Sequence, residues 1–299
     1  MASSTEQLLK RFVPASSSIP HHILKRLELF VGSARRLFVL TGAGVSTESG
    51  IRDYRSEGVG LYASSHHRPV QHADFIKSTE ARQRYWARNA MAWPRFSTFK
   101  PNSAHKLCAS LEHQGHLHWT VTQNVDGLHI KAGSRRITEL HGTMHAVVCL
   151  DCKTVISREE LQSKIGELNG GWEPTVEGYA PDADSIIADD AVKAFNVPAC
   201  ESCGGVLKPN VTFFGDSVPR SVVYDVNQKV AESDALLVMG SSCQTYSAYR
   251  HLLHAQRLEL PIGILNIGHT RADHIAFLKV DGSCSEAANW LLSRMKMKR

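Results

Sequence analysis

Two Cys-x-x-Cys pairs, Cys149 with Cys152 and Cys200 with Cys203, set the strongest constraint on what this 299-residue chain can fold into. Each pair offers two sulfurs from one short turn, and two such turns brought together surround a single tetrahedral ion, as structural zinc is held. A site of four thiolates is coordinatively full, so it predicts a folded module and leaves the chemistry to be sought elsewhere. Thioredoxin-like redox pairs or disulfides are the competing reading. Redox pairs follow a strand in a small α/β unit, however, and two that face each other are unusual. The other cysteines, Cys108, Cys243 and Cys284, are scattered, as free thiols in a reducing compartment are.

Outside the pairs the chain reads as α/β. The apolar run from Arg36 to Thr41 ends at Gly42-Ala43-Gly44, and that from Leu117 to Thr122 ends at Gln123-Asn124. Ala235 to Met239 ends at Gly240-Ser241-Ser242, and Ile262 to Leu265 ends at Asn266-Ile267-Gly268. Short apolar runs closing in small or amide residues predict buried parallel strands, with helices over Ile23–Gly32, Ala81–Ala92, Ala104–Gln114, Val222–Glu232 and Tyr246–Leu258 between them. Pro101-Asn102-Ser103 supplies a turn and a cap before the third helix. In a doubly wound sheet ligands bind at the carboxyl ends of the strands, so these four ends would line one crevice.

The segment between the Cys pairs breaks this rhythm. Its 47 residues exceed the usual zinc-module interval. From Glu167 to Asp190 it carries Gly170-Gly171, Pro174, Pro181 and the acids Glu173, Glu177, Asp182, Asp184, Asp189 and Asp190, with no Lys or Arg. The expected architecture is therefore a Rossmann-like doubly wound parallel sheet, residues 19–144 and 206–299, with an inserted four-cysteine zinc module over 145–205 that bears a long acidic loop. No repeat or low-complexity tract is present.

Composition narrows the function classes. Hydrophobic residues at 42% and charged residues at 21% describe an ordinary soluble globule. No apolar run approaches the roughly 20 residues of a membrane span. The net charge of +5 is mild and not gathered into a block, so nothing demands nucleic acid. Residues 1–18 are Ser-rich, carry Lys10 and Arg11 against Glu6, and space Leu8, Leu9, Phe12 and Val13 loosely as a helix would. That composition fits a short mitochondrial presequence or a disordered tail. The lack of an apolar h-region argues against secretion.

Three strings and one histidine carry chemistry. Gly42-Ala43-Gly44-Val45-Ser46-Thr47 after a strand would let backbone N–H groups approach a pyrophosphate, aided by a following helix N-terminus, although Thr47 replaces the third glycine of the dinucleotide fingerprint. An ordinary strand-to-helix turn is the alternative. Glu48 to Arg55 continues as a polar loop in which a buried Asp53 and the Arg55 guanidinium suit a ligand with an amide and phosphates, or form a solvated ion pair. Gln123-Asn124-Val125-Asp126 places amides and a carboxylate after a strand, where they bind a ligand or cap the next helix. His141 is followed by Gly142, which leaves its imidazole facing an open cleft as a general base would, or it is one structural histidine among 16.

In order, the strings from Gly42 to Arg55, Thr122-Gln123-Asn124-Val125-Asp126, His141-Gly142, the Cys pairs, Pro209 to Asp216 and Gly240-Ser241-Ser242 resemble the signature of the sirtuin family, from about Ile23 to Cys284. Arg82 to Asn89 and Gly178 to Asp182 look like its mitochondrial class II branch, of sirtuin-4 type. The resemblance implies an NAD-dependent protein lysine deacylase with structural zinc, acting on acyl-lysine proteins of the mitochondrial matrix, with neither nucleic acid nor membrane as a partner. It assigns NAD binding to Gly42, Ala43, Gly44, Ser46, Thr47, Asp53, Tyr54, Arg55, Gln123, Asn124, Val125, Asp126, Gly240, Ser241 and Ser242, and the adenosine end to Asn266, Ile267, Gly268 and Cys284. Val211, Phe213, Phe214 and Gly215 would pair with the substrate backbone as an added strand.

The implied mechanism begins with attack of the acyl oxygen on the ribose carbon as nicotinamide leaves. His141, with Asn124 and Asp126 beside it, then removes a ribose hydroxyl proton, and water releases O-acyl-ADP-ribose and lysine. Tyr85 and Arg88, three apart on one helix face, resemble a pair that reads an acyl carboxylate, which implies glutaryl-like chains. Arg52 stands where the family has proline, implying a looser loop, and Cys243 where leucine is usual. A mono-ADP-ribosyltransferase using the same site, a zinc-ribbon adaptor and an ordinary dehydrogenase are the other classes to separate. Ser285–Arg299 matches no recognised pattern.

Overall fold

The computed structural model describes residues 12–64 and 68–297. Most of the expected tail or presequence, residues 1–11, lies outside the described residues. Along the chain come strands β1 (Leu37–Thr41), β2 (Leu117–Thr122) and β3 (Ile137–Glu139), then an insertion carrying β4 (Gly142–Cys149), β5 (Val155–Ser157), β6 (Gly178–Ala180), β7 (Asp184–Ile186) and β8 (Leu207–Val211). Strands β9 (Ala235–Met239), β10 (Ile262–Asn266) and β11 (Leu278–Asp281) follow.

The main sheet has six strands in the order β11-β10-β9-β1-β2-β3, and every pairing within it is parallel. Its central strands β1, β9 and β10 are buried at every residue, which is why they read as unbroken apolar runs rather than as alternations. The period of two instead sorts which helix layer each residue meets. Leu37, Val39, Leu237 and Met239 pack toward helices His21–Ser33, Ser103–His113 and Cys284–Met297. Phe38, Leu40, Leu236 and Val238 pack toward helices Arg220–Ala231 and Tyr246–Arg257. The C-terminal stretch without a recognised pattern is thus a core helix that buries Ala287, Ala288 and Leu291.

The insertion has its own core. Strand β4 lies between β5 and β8 in a three-stranded antiparallel sheet that runs from Gly142 to Val211, and β6 pairs with β7 as a hairpin. The acidic segment is therefore more than a loop: it holds that hairpin and the short helix Asp189–Lys193. Helix Thr79–Phe96, expected as part of the main domain, packs Trp86, Ala87, Trp93 and Phe96 against Leu161, Ile165, Phe195 and Leu207 of the insertion. Trp86 Nε1 donates to the Leu207 carbonyl at 3.1 Å. Arg158 is fully buried beneath Trp86 and Trp93, and its guanidinium donates twice to Asn89 Oδ1, at 2.9 and 2.7 Å.

Because β1 is flanked by β2 on one side and β9 on the other, the strand order reverses there while all strands stay parallel, and a crevice opens at the carboxyl ends of those strands. The inserted module sits across that opening.

Candidate active site

The ends of β1, β2, β9 and β10 and the edge of the inserted module line one cleft of about 1040 Å³. The glycines at its floor serve a different purpose from the one their motif suggests. Gly44 N–H donates to the Gly240 carbonyl at 2.8 Å, and Gly42 N–H to that of Met239 at 3.1 Å. A Cβ on Gly240, whose φ is +57°, would stand 2.4 Å from Val45 N. The two loops are thus glycine-rich because they touch backbone to backbone, and neither of these N–H groups is left to meet a pyrophosphate. The segment that follows, Ala43–Ser49, is a 3₁₀ turn rather than a long helix.

Ser46 is the hub of the floor. Its hydroxyl donates to Asp126 Oδ2 at 2.6 Å and accepts from Asn124 Nδ2 at 3.0 Å, while His105 Nε2 lies 3.3 Å away. Asp126 Oδ1 also accepts the Leu128 N–H at 2.9 Å, as the helix-cap reading of this carboxylate expects, and Asp126 lines the cleft as well. Behind Ser46, Asn102 caps helix Ser103–His113, and His105 returns to the Asn102 backbone N–H. Burial keeps His105 and His129 neutral, lowering the pKa of each to about 3. Sequence reasoning placed neither in the site, although the Asn102-x-x-His105 capping box is a readable signal.

His141 is held at both ring nitrogens. Its Nδ1 lies 2.9 Å from the Gln123 carbonyl, which only accepts, so Nδ1 carries the proton and Nε2 presents a lone pair. Burial lowers its pKa from the usual 6.5, opposed by the Gln123 bond. A neutral imidazole with a basic nitrogen is what a general base requires, and here that Nε2 lies 2.9 Å from Ser247 Oγ. Gln123 is itself fixed, donating from Nε2 to Ser241 Oγ at 2.8 Å and accepting from Thr245 Oγ1 at 3.0 Å. Gly142 serves the strand pairing rather than openness: its φ is +82°, and a Cβ there would stand 2.0 Å from the Asn210 carbonyl oxygen.

Of the residues assigned to NAD, Ala43, Gly44, Ser46, Thr47, Asp53, Tyr54, Arg55, Gln123, Asn124, Val125 and Asp126 line the cleft. Gly240, Ser241, Ser242, Asn266, Ile267, Gly268 and Cys284 line it too, whereas Gly42 does not. Asp53 is buried and accepts from Ser56 N–H at 3.0 Å, while Arg55 is exposed, its guanidinium over the Tyr62 ring. Arg52 does not loosen this loop, since its Nε donates to the Val59 carbonyl at 2.8 Å and its guanidinium covers the Phe12 ring. Cys243 is buried in a left-handed conformation, φ +55°.

On the substrate side, Val211, Phe213, Phe214 and Gly215 line the cleft. The Phe214 carbonyl already accepts from His72 N–H and that of Phe213 from Asp216 N–H, so an added strand would have to use the other backbone groups of this segment. Tyr85 and Arg88 are not on the cleft wall. The Tyr85 ring packs against Phe75, Trp86 and Phe213, burial pushes its phenol well above the usual range, and its hydroxyl faces Met144 Sδ at 3.8 Å. Asp182, singled out in the sequence only as one of the acids of the long loop, reaches the cleft on the β6–β7 turn with φ +59°.

The four paired cysteines converge away from the cleft floor. Their sulfurs lie within 4.8 Å of one another, with Cys149 to Cys203 at 3.5 Å and Cys152 to Cys200 at 3.7 Å. A tetrahedron with arms of about 2.3 Å has edges near 3.8 Å, so the quartet fits zinc, and all four cysteines are free of disulfides. Such an ion would bind the β4–β5 turn to the turn before β8 and supply folding energy rather than chemistry.

Fold and site together define a doubly wound α/β protein class with a ligand-sized cleft and an inserted four-cysteine module, and comparison with known proteins identifies that class as one of NAD-using enzymes. The Sir2 family pattern matches residues 42–247. "NAD-dependent protein lipoamidase sirtuin-4, mitochondrial" of Bos taurus is 53% identical over 275 residues, 92% of this chain and 87% of that protein. "NAD-dependent protein deacylase Sirt4" of Drosophila melanogaster is 48% identical over 286 residues, 96% of this chain and 91% of that protein. A Sir2 solved with a p53 peptide and NAD+ aligns over 92% of this chain and 99% of its own, with a TM-score of 0.73 at 27% identity. The chain belongs to the Sir2 family. That membership sets aside the zinc-ribbon adaptor and the dehydrogenase.

Proposed function

We propose that this protein is an NAD-dependent protein lysine deacylase in which His141 is the general base. The carrying observation is the fixed tautomer: Nδ1–H on the Gln123 carbonyl makes Nε2 the basic nitrogen of a histidine that lines the cleft. NAD supplies the ribosyl carbon that accepts the acyl oxygen. Ser46, Asn124 and Asp126 would orient its nicotinamide end, the Gly240-Ser241-Ser242 turn its phosphates and ribose, and Asn266 with Cys284 its adenosine. Val211 and the Phe213–Gly215 segment would hold the substrate backbone. His141→Tyr is expected to lower deacylation about 10²- to 10⁴-fold with the fold intact by circular dichroism; wild-type turnover in that variant would remove His141 from the role. Product mass decides the alternative: a peptide that gains ADP-ribose marks a mono-ADP-ribosyltransferase.

The finer reading concerns the acyl group and the address. Glutaryl-like chains ending in a carboxylate are removed faster than acetyl, from metabolic enzymes of the mitochondrial matrix. What supports the acyl preference is proximity, because Phe213 lines the cleft and Tyr85 packs directly behind it, 5.2 Å between ring centroids. Asp182 modulates it. Burial, and then Asp184, push its carboxyl up to about 7, so it repels a terminal carboxylate above that pH and less below it. Arg88→Ala should selectively lower removal of carboxyl-terminated acyl groups; equal loss on acetyl would argue for a structural role. What supports the address is the bovine relative, a protein named as mitochondrial.

A further inference from the structure

The basic nitrogen of His141 is not open to the cleft but hydrogen-bonded within the protein. Ser247 Oγ lies 2.9 Å from His141 Nε2. Since Nδ1 holds the ring proton against the Gln123 carbonyl, the Ser247 hydroxyl is the donor and its hydrogen occupies the lone pair. The contact is built, not incidental. Ser247 lies in the first turn of helix Tyr246–Arg257, whose N-cap Thr245 donates to Gln123 Oε1 at 3.0 Å. One helix end therefore fixes Gln123 and faces His141, and Gln123 holds the other side of the imidazole. Ser247, His141 and Gln123 all line the cleft.

Any hydroxyl that gives its proton to His141 must displace Ser247 or pass the proton through it. We propose that Ser247 is a proton relay between the substrate hydroxyl and His141, an inference that rests on the deacylase reading. In one concerted step the substrate O–H bond breaks and its proton bonds to Ser247 Oγ, while the Ser247 O–H bond breaks and that proton bonds to His141 Nε2. The serine hydroxyl is regenerated, the imidazolium keeps the Gln123 carbonyl and Ser247 Oγ as acceptors, and the electron pair stays on the substrate oxygen for its attack. A hydroxyl suits this place because it donates to the neutral ring and, after rotation, accepts from the charged one. Displacement would leave both a desolvated serine hydroxyl and a new contact to be made, whereas the relay keeps every polar group paired.

The test is Ser247→Ala beside Ser247→Thr. Nicotinamide departs before the base acts, so exchange of labelled nicotinamide into NAD in the presence of acyl-peptide should persist in Ser247→Ala while deacylation falls roughly 10- to 100-fold, no more than the low end of general-base effects because His141 itself remains. Ser247→Thr should recover most of the rate. In mixtures of H2O and D2O the wild-type rate should depend on two transferred protons, and the residual Ser247→Ala rate on one. In the NAD-free protein, the ¹⁵N resonance of His141 Nε2 should shift on Ser247→Ala and return toward wild type in Ser247→Thr. Deacylation that is unchanged or faster in Ser247→Ala would overturn the relay in favour of displacement. Parallel loss of exchange and deacylation would overturn it in favour of a structural role. A wild type that lacks both exchange and deacylation on every acyl-peptide would instead refute the deacylase reading beneath it.

Discussion

The parallel sheet and the inserted module face each other across the cleft yet are stabilised by different physics. The sheet buries strands β1, β9 and β10 completely between two helix layers, and its loops close by backbone contact. The module relies on a small antiparallel sheet, a cysteine quartet and a buried cation under two tryptophans. A region with a large apolar core folds on hydrophobic burial, whereas a small one needs a staple. On the proposed reading the difference also divides the chemistry: the sheet side would carry the base and its hydrogen-bonded supports, and the module side would shape the substrate entrance.

Metal removal breaks this comparison most strongly. Structural zinc contributes about 10–16 kcal/mol of apparent binding energy in small zinc modules. A strong chelator should unfold residues near β4, β5 and β8 first, with hydrogen exchange rising there well before the β1 and β9 amides. Simultaneous loss of both regions would show that they fold as one unit.

The buried cation gives the next largest effect. Removing Asn89 Oδ1 leaves the fully buried Arg158 guanidinium without the acceptor of two hydrogen bonds, a type of change that costs about 3–5 kcal/mol. Asn89 Nδ2 also holds the Ala183 carbonyl at 2.9 Å, so Asn89→Ala should loosen the β6–β7 hairpin and with it Asp182. Urea titration measures the stability loss, and acyl selectivity reports the hairpin.

Two glycines sharpen the contrast further. Gly142 and Gly268 both have positive φ, but a Cβ on Gly142 meets the β8 backbone and one on Gly268 meets nothing within 4 Å. Gly142→Ala should cost more than about 2 kcal/mol, and Gly268→Ala only about 1 kcal/mol, the conformational penalty alone. Thermal melts of the pair check this ordering, and equal effects would refute the steric account.

Near neutral pH the smallest effect is the pH response. His105 and His129 have folded pKa values lowered to about 3, so between about pH 6.5 and 3 the unfolded chain binds protons that the folded one refuses. Stability from these imidazoles is full above 6.5 and falls as pH drops through that window. Glu139, raised to about 7 by burial and then Asp126, acts oppositely: its contribution is full below the ordinary carboxylate range and is lost as pH rises through 7. For catalysis, burial of His141 should place the acid limb of kcat/KM below pH 6.5.

Much of the parallel sheet was legible because four fully or largely buried strands leave unbroken apolar runs, each ending in a small or amide residue. The Cys pairs were legible because metal geometry restricts spacing. Strands β3 and β11 were not, being three- and four-residue edge strands with little apolar signal. Helix Cys284–Met297 was missed because its basic end masks an apolar face. The hairpin bringing Asp182 to the cleft depends on long-range anchoring by Asn89, which no local pattern announces. Ser247 was missed for the same reason: its contact, and the role proposed for it, exist only through His141, distant in sequence. Tyr85 and Arg88 share a helix face, as their spacing implies, but spacing does not say which neighbour that face meets, and for Tyr85 it is the module core.

The most direct test of the central claim is mass spectrometry of acyl-lysine peptides incubated with the wild-type protein, with and without NAD. The account predicts loss of the acyl mass only with NAD, with one nicotinamide and one O-acyl-ADP-ribose formed for each lysine freed. Peptides that keep their acyl groups while NAD is consumed would contradict it.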